Sequence, residues 1–233
     1  MEDFYEDVNF KTLTEKAITR DLSNEELKFY RFNKVSAIQK RFESVDFSYS
    51  IINVSYFRKC TFDSCKFVGC KFISSNFEGS EFIGCHFDYA TFEKTNIEDS
   101  ILDNNCPSYE NIKLKFARSL RLNYLSLGDI KAVNKAILIE LKATKIHLLK
   151  AWSSNESYYR AKYQGWNRII YFFKWFSFLV SEFFWGNGES LYKLARTVLM
   201  ILIVMTLYDV LAFREASLVG SYFDSFTRMP GIF

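Results

Sequence analysis

The chain has 233 residues, room for one large or two modest domains, and a net charge of +3. Its five cysteines, Cys60, Cys65, Cys70, Cys85 and Cys106, include no Cys-x-x-Cys pair, which excludes a zinc ribbon. There is no Walker loop, no Gly-x-Gly-x-x-Gly, no His-Glu-x-x-His and no Gly-x-Ser-x-Gly, and the only histidines are His86 and His147, so neither an enzyme nor a cofactor or metal site is expected.

Residues 1–41 read as an N-terminal cap region, charge-balanced with eight Lys/Arg and eight Asp/Glu. Met1 to Asp7 is acidic, with no basic n-region and no apolar stretch. No cleavable signal peptide is expected, which keeps the N-terminal part of the chain in the cytosol. Ser23 stands three residues before Glu26, the spacing of a capping box, and predicts a helix start. Phe32 and Ala37 already fall on a five-residue beat that becomes strict farther along the chain.

From residue 42 a large apolar side chain recurs every fifth position. Phe42, Phe47, Ile52, Phe57, Phe62, Phe67, Phe72, Phe77, Phe82, Phe87, Phe92, Ile97 and Leu102 keep the spacing without a slip. Five is neither a helical nor a strand period, so it signals a repeat architecture. From Ile52 onward, two residues before each anchor stands a small one, among them Ser55, Cys60, Cys65, Cys70, Ser75 and Cys85. The positions between are mostly polar, such as Lys66, Glu78 and Asp88. The expected core of residues 42–106 is Phe47, Phe57, Phe62, Phe67, Phe72, Phe77, Phe82, Phe87 and Phe92, with Cys60, Cys65, Cys70 and Cys85 as small core residues. His86 reads as a surface residue, because neighbours along a strand face opposite ways. The pattern Cys/Ser-x-Phe-x-x resembles the pentapeptide-repeat family. That resemblance implies a right-handed quadrilateral β-helix with twenty residues per coil, hence roughly three coils stacked about 4.8 Å apart. Phe42, Phe62, Phe82 and Leu102 would form one ladder, and Pro107 would end the coil. Residues 42–105 carry five Lys/Arg and ten Asp/Glu, a net −5.

Residues 107–164 lose the beat and take up helical spacing, a helical linker or cap. Leu120, Tyr124 and Leu127 share a face, Gly128-Asp129 is a stop and restart, and Ala132, Ala136, Ile139 and Ala143 continue. The run from Leu120 to Ala132, with Glu140 beyond, resembles the linker after the repeats in bacterial pentapeptide-repeat proteins of the membrane-channel type. From residue 106 onward the chain carries seventeen Lys/Arg and nine Asp/Glu, a net +8.

Residues 165–185 divide on a helical wheel into an apolar arc and a polar arc. Phe172, Phe173, Phe176, Phe183 and Phe184, with Trp175 and Trp185 beside the arc, suit a helix lying in a membrane interface. Residues 191–213 are apolar all round and 23 long, with Lys193 and Arg196 flanking one end and Asp209 the other. They are read as a transmembrane helix. Lys162, Arg168, Lys174, Lys193 and Arg196 all precede the span's uncharged stretch and place its N-terminal side in the cytosol. The run from Trp185 to Leu199 resembles the junction before the first membrane helix of pentapeptide-repeat proteins with a two-helix ion-channel module. The tail, residues 214–233, departs from them: it holds no Thr-x-Gly-Tyr-Gly filter and no second span.

The fold class is therefore mixed: a β-solenoid, an α-helical linker and a C-terminal transmembrane helix. The expected function is a membrane-anchored protein of the bacterial inner membrane. Its cytosolic solenoid would serve as sensing or oligomerisation platform for a channel-like or membrane-perturbing segment, as in a bacterial defence effector. The expected partners are the lipid bilayer, further copies of the chain and a protein trigger, with no nucleic acid. Two alternatives stand beside it. One is a DNA-mimicking module acting on a type II topoisomerase, as some pentapeptide-repeat proteins do; the other is a non-conducting membrane scaffold.

Overall fold

The computed structural model describes residues 9–213. The chain divides into two compact units, one ending at His147 and one starting at Leu148. The first opens with short strands: Lys11–Thr14 (β1), Ala17–Ile18 (β2), Leu22–Ser23 (β3), Tyr30–Asn33 (β4), Ser36–Ile38 (β5), Arg41–Glu43 (β6), Ile51–Asn53 (β7), Tyr56–Arg58 (β8), Thr61–Asp63 (β9), Lys71–Ile73 (β10), Glu81–Ile83 (β11) and Thr91–Glu93 (β12). They pair in parallel as three sheets, β1-β4-β7-β10-β12, β11-β9-β6-β3 and β2-β5-β8. A fourth face is held by single bridges from Glu26 to Asp46, Lys66 and His86 in turn. Phe42 pairs with Phe62 and Phe62 with Phe82, while Phe32, Ile52, Phe72 and Phe92 align in the next sheet. The register advances twenty residues per coil, so the chain is a β-solenoid followed by α-helices.

Each pentad carries one structural job per position. The central residue is buried, and the rings of successive coils stack in parallel columns. Phe47 lies 5.1 Å from Phe67, Phe67 lies 5.0 Å from Phe87, and Phe42 lies 4.8 Å from Phe62. These separations are near the inter-strand spacing, so the backbone ladder sets the ring stacking. Neighbouring columns meet edge to face, as Phe62 and Phe67 do at 5.6 Å. The second residue after each centre turns the corner with a positive φ, at every fifth position from Asn24 to Lys94. Only Gly69, Gly79 and Gly84 among these are glycine. Elsewhere the left-handed conformation costs about 1–2 kcal/mol, and hydrogen bonds between coils hold it, as from Val54 N–H to the Ile73 carbonyl at 3.0 Å. Val54, β-branched and half exposed at φ 48°, is the most strained type there. Val54→Asn is expected to stabilise the fold by about 1 kcal/mol, seen as a higher denaturation midpoint with an unchanged slope. A fall in the midpoint would contradict that account.

The coil starts earlier than the sequence suggests. Residues 1–41 are expected to be a cap with a helix starting at Ser23, yet β1 to β6 already build the ladder from Lys11, and Glu26 bridges Asp46. The reason is that Leu13, Ile18, Leu22 and Leu27 fill the inward positions with smaller residues than Phe. One step, from Ile18 to Leu22, is four residues rather than five, so Lys11 faces Tyr30 only nineteen positions on. From Lys11 to the last bridge at Asn96 the rod has rather more than four coils, not three. The expected Phe42 ladder stops at Phe82. Leu102 is buried in a helical turn, Ile101–Asn104 (α1), before Pro107 is reached.

Two helices, Glu110–Leu127 (α2) and Ile130–Ser153 (α3), come next. Gly128, at φ 76°, ends α2 by donating to the Leu125 carbonyl, and the Asp129 carboxylate accepts from Ala132 N–H at the start of α3. Helix α2 closes the open end of the rod. Phe116 packs 5.7 Å from Phe87 and 5.9 Å from Phe92, with Leu120 and Tyr124 buried beside it. Its polar residues finish the ladder, because the last coil leaves peptide groups with no coil above them. Asn123 Oδ1 accepts from Thr95 N–H at 2.8 Å and its Nδ2 donates to the Thr95 carbonyl at 2.7 Å. Ser119 Oγ accepts from Phe92 N–H, and the Tyr124 hydroxyl donates to the Glu98 carbonyl. Asn105 does the same for Cys85 N–H and the Phe82 carbonyl. Asn123→Leu keeps the bulk and strands both Thr95 groups. It is expected to destabilise by about 3 kcal/mol, roughly 1–3 for each buried group, in chemical denaturation. Asn134→Leu on an exposed face of α3 should change little, and equal losses would refute the capping role.

The second unit contains a short helix, Ser157–Lys162 (α4), inside the stretch expected to be a helical linker or cap. It continues with Trp166–Trp185 (α5), a 3-10 turn at Gly186–Gly188, and Leu191–Phe213 (α6).

Candidate functional site: an unpartnered apolar helix pair

Helices α5 and α6 are joined by a tight turn that the sequence fixes locally. Gly186, at φ 66°, donates to the Glu182 and Ser181 carbonyls and ends α5. A Cβ at Gly186 would stand 2.9 Å from the Ser190 Cβ, so only glycine fits without a shift. The start of α6 then bonds back onto the end of α5. Thr197 Oγ1 donates to the Phe184 carbonyl at 2.6 Å, and the Arg196 guanidinium donates to the Phe183 carbonyl while lying 4.7 Å from that ring's centroid. A cation at a helix C-terminus meets the negative end of the helix dipole. Arg196 is thus tied to α5, and Lys193 packs its side chain near Gly186. The Asp209 side chain lies outside the described residues.

Among the described residues, most of the apolar surface of this pair is uncovered. No residue of α5 is buried. Phe173 is 62% exposed, Phe176 and Phe183 each 53%, and Phe172, Phe184 and Trp185 are also open. Trp175 differs: it is half-buried, 5.4 Å from the Trp152 ring near the end of α3, and Trp152 also meets Phe172 edge to face at 5.1 Å. From Leu191 to Tyr208 only 6% of residues are buried, although this is the described helix long and apolar enough to cross a membrane. A core helix passing the same test would be mostly buried. Leu194, Val198, Leu199, Ile201, Ile203 and Val204 are exposed around the whole circumference.

Phe47, Phe57, Phe62, Phe67, Phe72, Phe77 and Phe87 are at most 1% exposed, and Phe92 is buried. Phe82 is only partly buried, because the coil above it gives way to α1. The small positions do more than save space. Ser50, Ser55, Ser75 and Ser80 donate to carbonyls of the coil below, and Cys60, Cys65, Cys70 and Cys85 direct their thiols to the same carbonyl set. Serine hydroxyls also accept N–H bonds, as Ser75 does from Ser55 N–H and Ser80 from Cys60 N–H. Burial pushes the Cys60 and Cys70 thiols up, and a hydrogen bond with Cys65 and burial do so for Cys85. These thiols are structural, and all five cysteines are free. Among the described residues no cluster of three or more His, Cys, Asp or Glu could hold a metal. Asn105, just after α1, and Ser119 and Asn123 on α2, which complete the ladder, escape a sequence reading because isolated polar residues carry no periodic signal.

Residues 56–101 match the family model of pentapeptide repeats, in nine copies. The rod is a pentapeptide-repeat solenoid. No curated protein is significantly similar to the chain. Among solved structures, the chain resembles two trypsin-treated variant forms of QnrB1, a plasmid-mediated fluoroquinolone resistance protein. One is 14% identical, with 39% of this chain and 64% of that one covered and a TM-score of 0.18. The other is 18% identical, with 37% and 53% covered and a TM-score of 0.15. The chain therefore spans under two thirds of the length of either relative. The sequence suggests no nucleic acid among the partners; that expectation is withdrawn.

Proposed function

We propose that the protein is membrane-associated, with the pentapeptide-repeat solenoid as a cytosolic platform and α5–α6 as the segment that enters or perturbs the bilayer. The unburied apolar surface of α5 and α6 carries this reading. Soluble monomers rarely expose apolar patches beyond a few hundred Å², and here α5 and the described side chains of α6, Leu191 to Tyr208, are largely open. The basic residues before Thr197 supply the cytosolic bias for the N-terminal side. Alkaline carbonate extraction of bacterial membranes holding the full chain is the test. Retention in the pellet supports insertion, and release to the supernatant refutes it. Conductance of planar bilayers by the retained protein then separates a channel-like role from a scaffold.

Two observations bear on the topoisomerase-binding alternative. The rod has more coils than the repeat count implied, and residues 76–105 carry seven Asp/Glu against Lys94 alone. Over residues 11–105, however, the count is thirteen Lys/Arg against fourteen Asp/Glu, and Lys135 of the cap already pairs with Asp99 and Asp103. A gyrase supercoiling assay decides it. Inhibition by the full chain that is lost on Glu81→Lys/Glu93→Lys supports a mimic of DNA charge; no inhibition disposes of it.

A further inference from the structure

Where α4 ends and α5 begins, Arg160, Ala161, Tyr163, Gln164, Gly165 and Arg168 line an open depression of about 390 Å³. Its lining holds two guanidinium groups and no acidic side chain. Arg168 is fixed from one side, its Nε donating to the Trp152 carbonyl at 2.8 Å, which leaves the rest of its fork available. The Arg160 side chain makes no ion pair or hydrogen bond among the described residues. The nearby acid Glu156 is engaged by Lys150 at 2.7 Å. Two unneutralised guanidinium groups on one concave surface, with Gln164 in the same lining and its Nε2 donating to the Ala161 carbonyl at 3.5 Å, suit a tetrahedral oxyanion, which Arg binds through paired N–H donors. The depression also stands at the polar end of the helix whose aromatic side is exposed.

We propose that this depression binds a phosphate group. That the phosphate is a lipid headgroup rests on the membrane reading above; the chemistry of the pocket does not. An anionic headgroup at this depth lies level with the start of an interfacial helix, where basic side chains meet lipid phosphates.

The decisive substitution keeps net charge. Arg160→Lys removes the guanidinium fork and retains the cation, and because Arg160 has no structural partner the fold should not suffer. Gln164→Glu places a negative charge in the same depression, and Lys174→Gln removes a cation on α5 outside it. The full-length protein and these variants are floated with vesicles of phosphatidylglycerol in a phosphate-free galactolipid. In parallel, detergent-solubilised protein is titrated with inorganic phosphate by calorimetry. The proposal expects both Arg160→Lys and Gln164→Glu to weaken phosphatidylglycerol binding by about tenfold, while Lys174→Gln loses no more than about fivefold, the share of one cation in a diffuse surface field. Unchanged binding by Arg160→Lys in both arms overturns the pocket and leaves membrane binding to general electrostatics and the apolar helices. Phosphate binding in solution that Arg160→Lys abolishes, with no vesicle binding by the wild type, supports the pocket with a soluble phosphate as its source and sinks the membrane reading instead.

Discussion

Phe67→Ala is expected to destabilise the solenoid by about 3–5 kcal/mol, the usual cost of deleting a buried Phe. Phe67 is fully buried, stacked between Phe47 and Phe87, and touched edge-on by Phe62 and Phe82. Its loss opens a void in the middle of a column whose neighbours cannot close it, because the backbone ladder fixes the spacing of the coils. In a quasi-one-dimensional fold the damage falls on the nearest-neighbour interfaces on both sides. Phe82→Ala should cost less, since Phe82 is only partly buried beneath α1. Lys66→Ala, one residue from Phe67 and exposed, should cost almost nothing. Chemical denaturation of the solubilised chain, followed by the strand signal, measures all three. Equal shifts for Phe67→Ala and Lys66→Ala would overthrow the five-residue register.

The second large effect concerns α6. Leu199 and Val204 lie near the centre of Leu191–Phe213 and are 58% and 64% exposed in the isolated chain. In water, Leu199→Arg/Val204→Arg would only exchange exposed apolar surface for charge, at no cost and with improved solubility. In a bilayer each arginine near the helix centre costs about 2.5–3.5 kcal/mol, so the pair opposes insertion by about 5–7 kcal/mol. The double variant is expected to leave the carbonate-resistant pellet while the rod keeps its fold by circular dichroism. A double variant that partitions as the wild type does would show that α6 is not held in the hydrocarbon, and would turn attention to a protein partner for its surface.

Part of this architecture was legible because it is periodic. An apolar residue every fifth position can satisfy neither a helix nor a flat strand, so Phe47 to Phe92 announced a coil of short faces without any tertiary information. The same held for Gly128-Asp129, whose turn chemistry is local, and for the apolar runs that became α5 and α6. The charge contrast was a weaker guide: residues 42–105 are net −5, but the whole rod from residue 11 is nearly neutral. The start of the rod was hidden for a physical reason: Leu13, Ile18, Leu22 and Leu27 are poorer markers than Phe, and one four-residue step breaks the count. Ser23 and Glu26 have the spacing of a helix cap, but pairing with the coil above outweighs that weak local preference. Tertiary structure alone decided how the open end is closed, because Asn123 and Ser119 act on peptide groups 27 or 28 residues away that a one-dimensional reading does not bring near. It also decided that Arg196 turns back to the end of α5 and that Arg160 and Arg168 share one hollow. Periodicity fixes which residues face inward; only the folded chain determines which polar groups meet, since each such meeting depends on a single contact rather than on a repeated one.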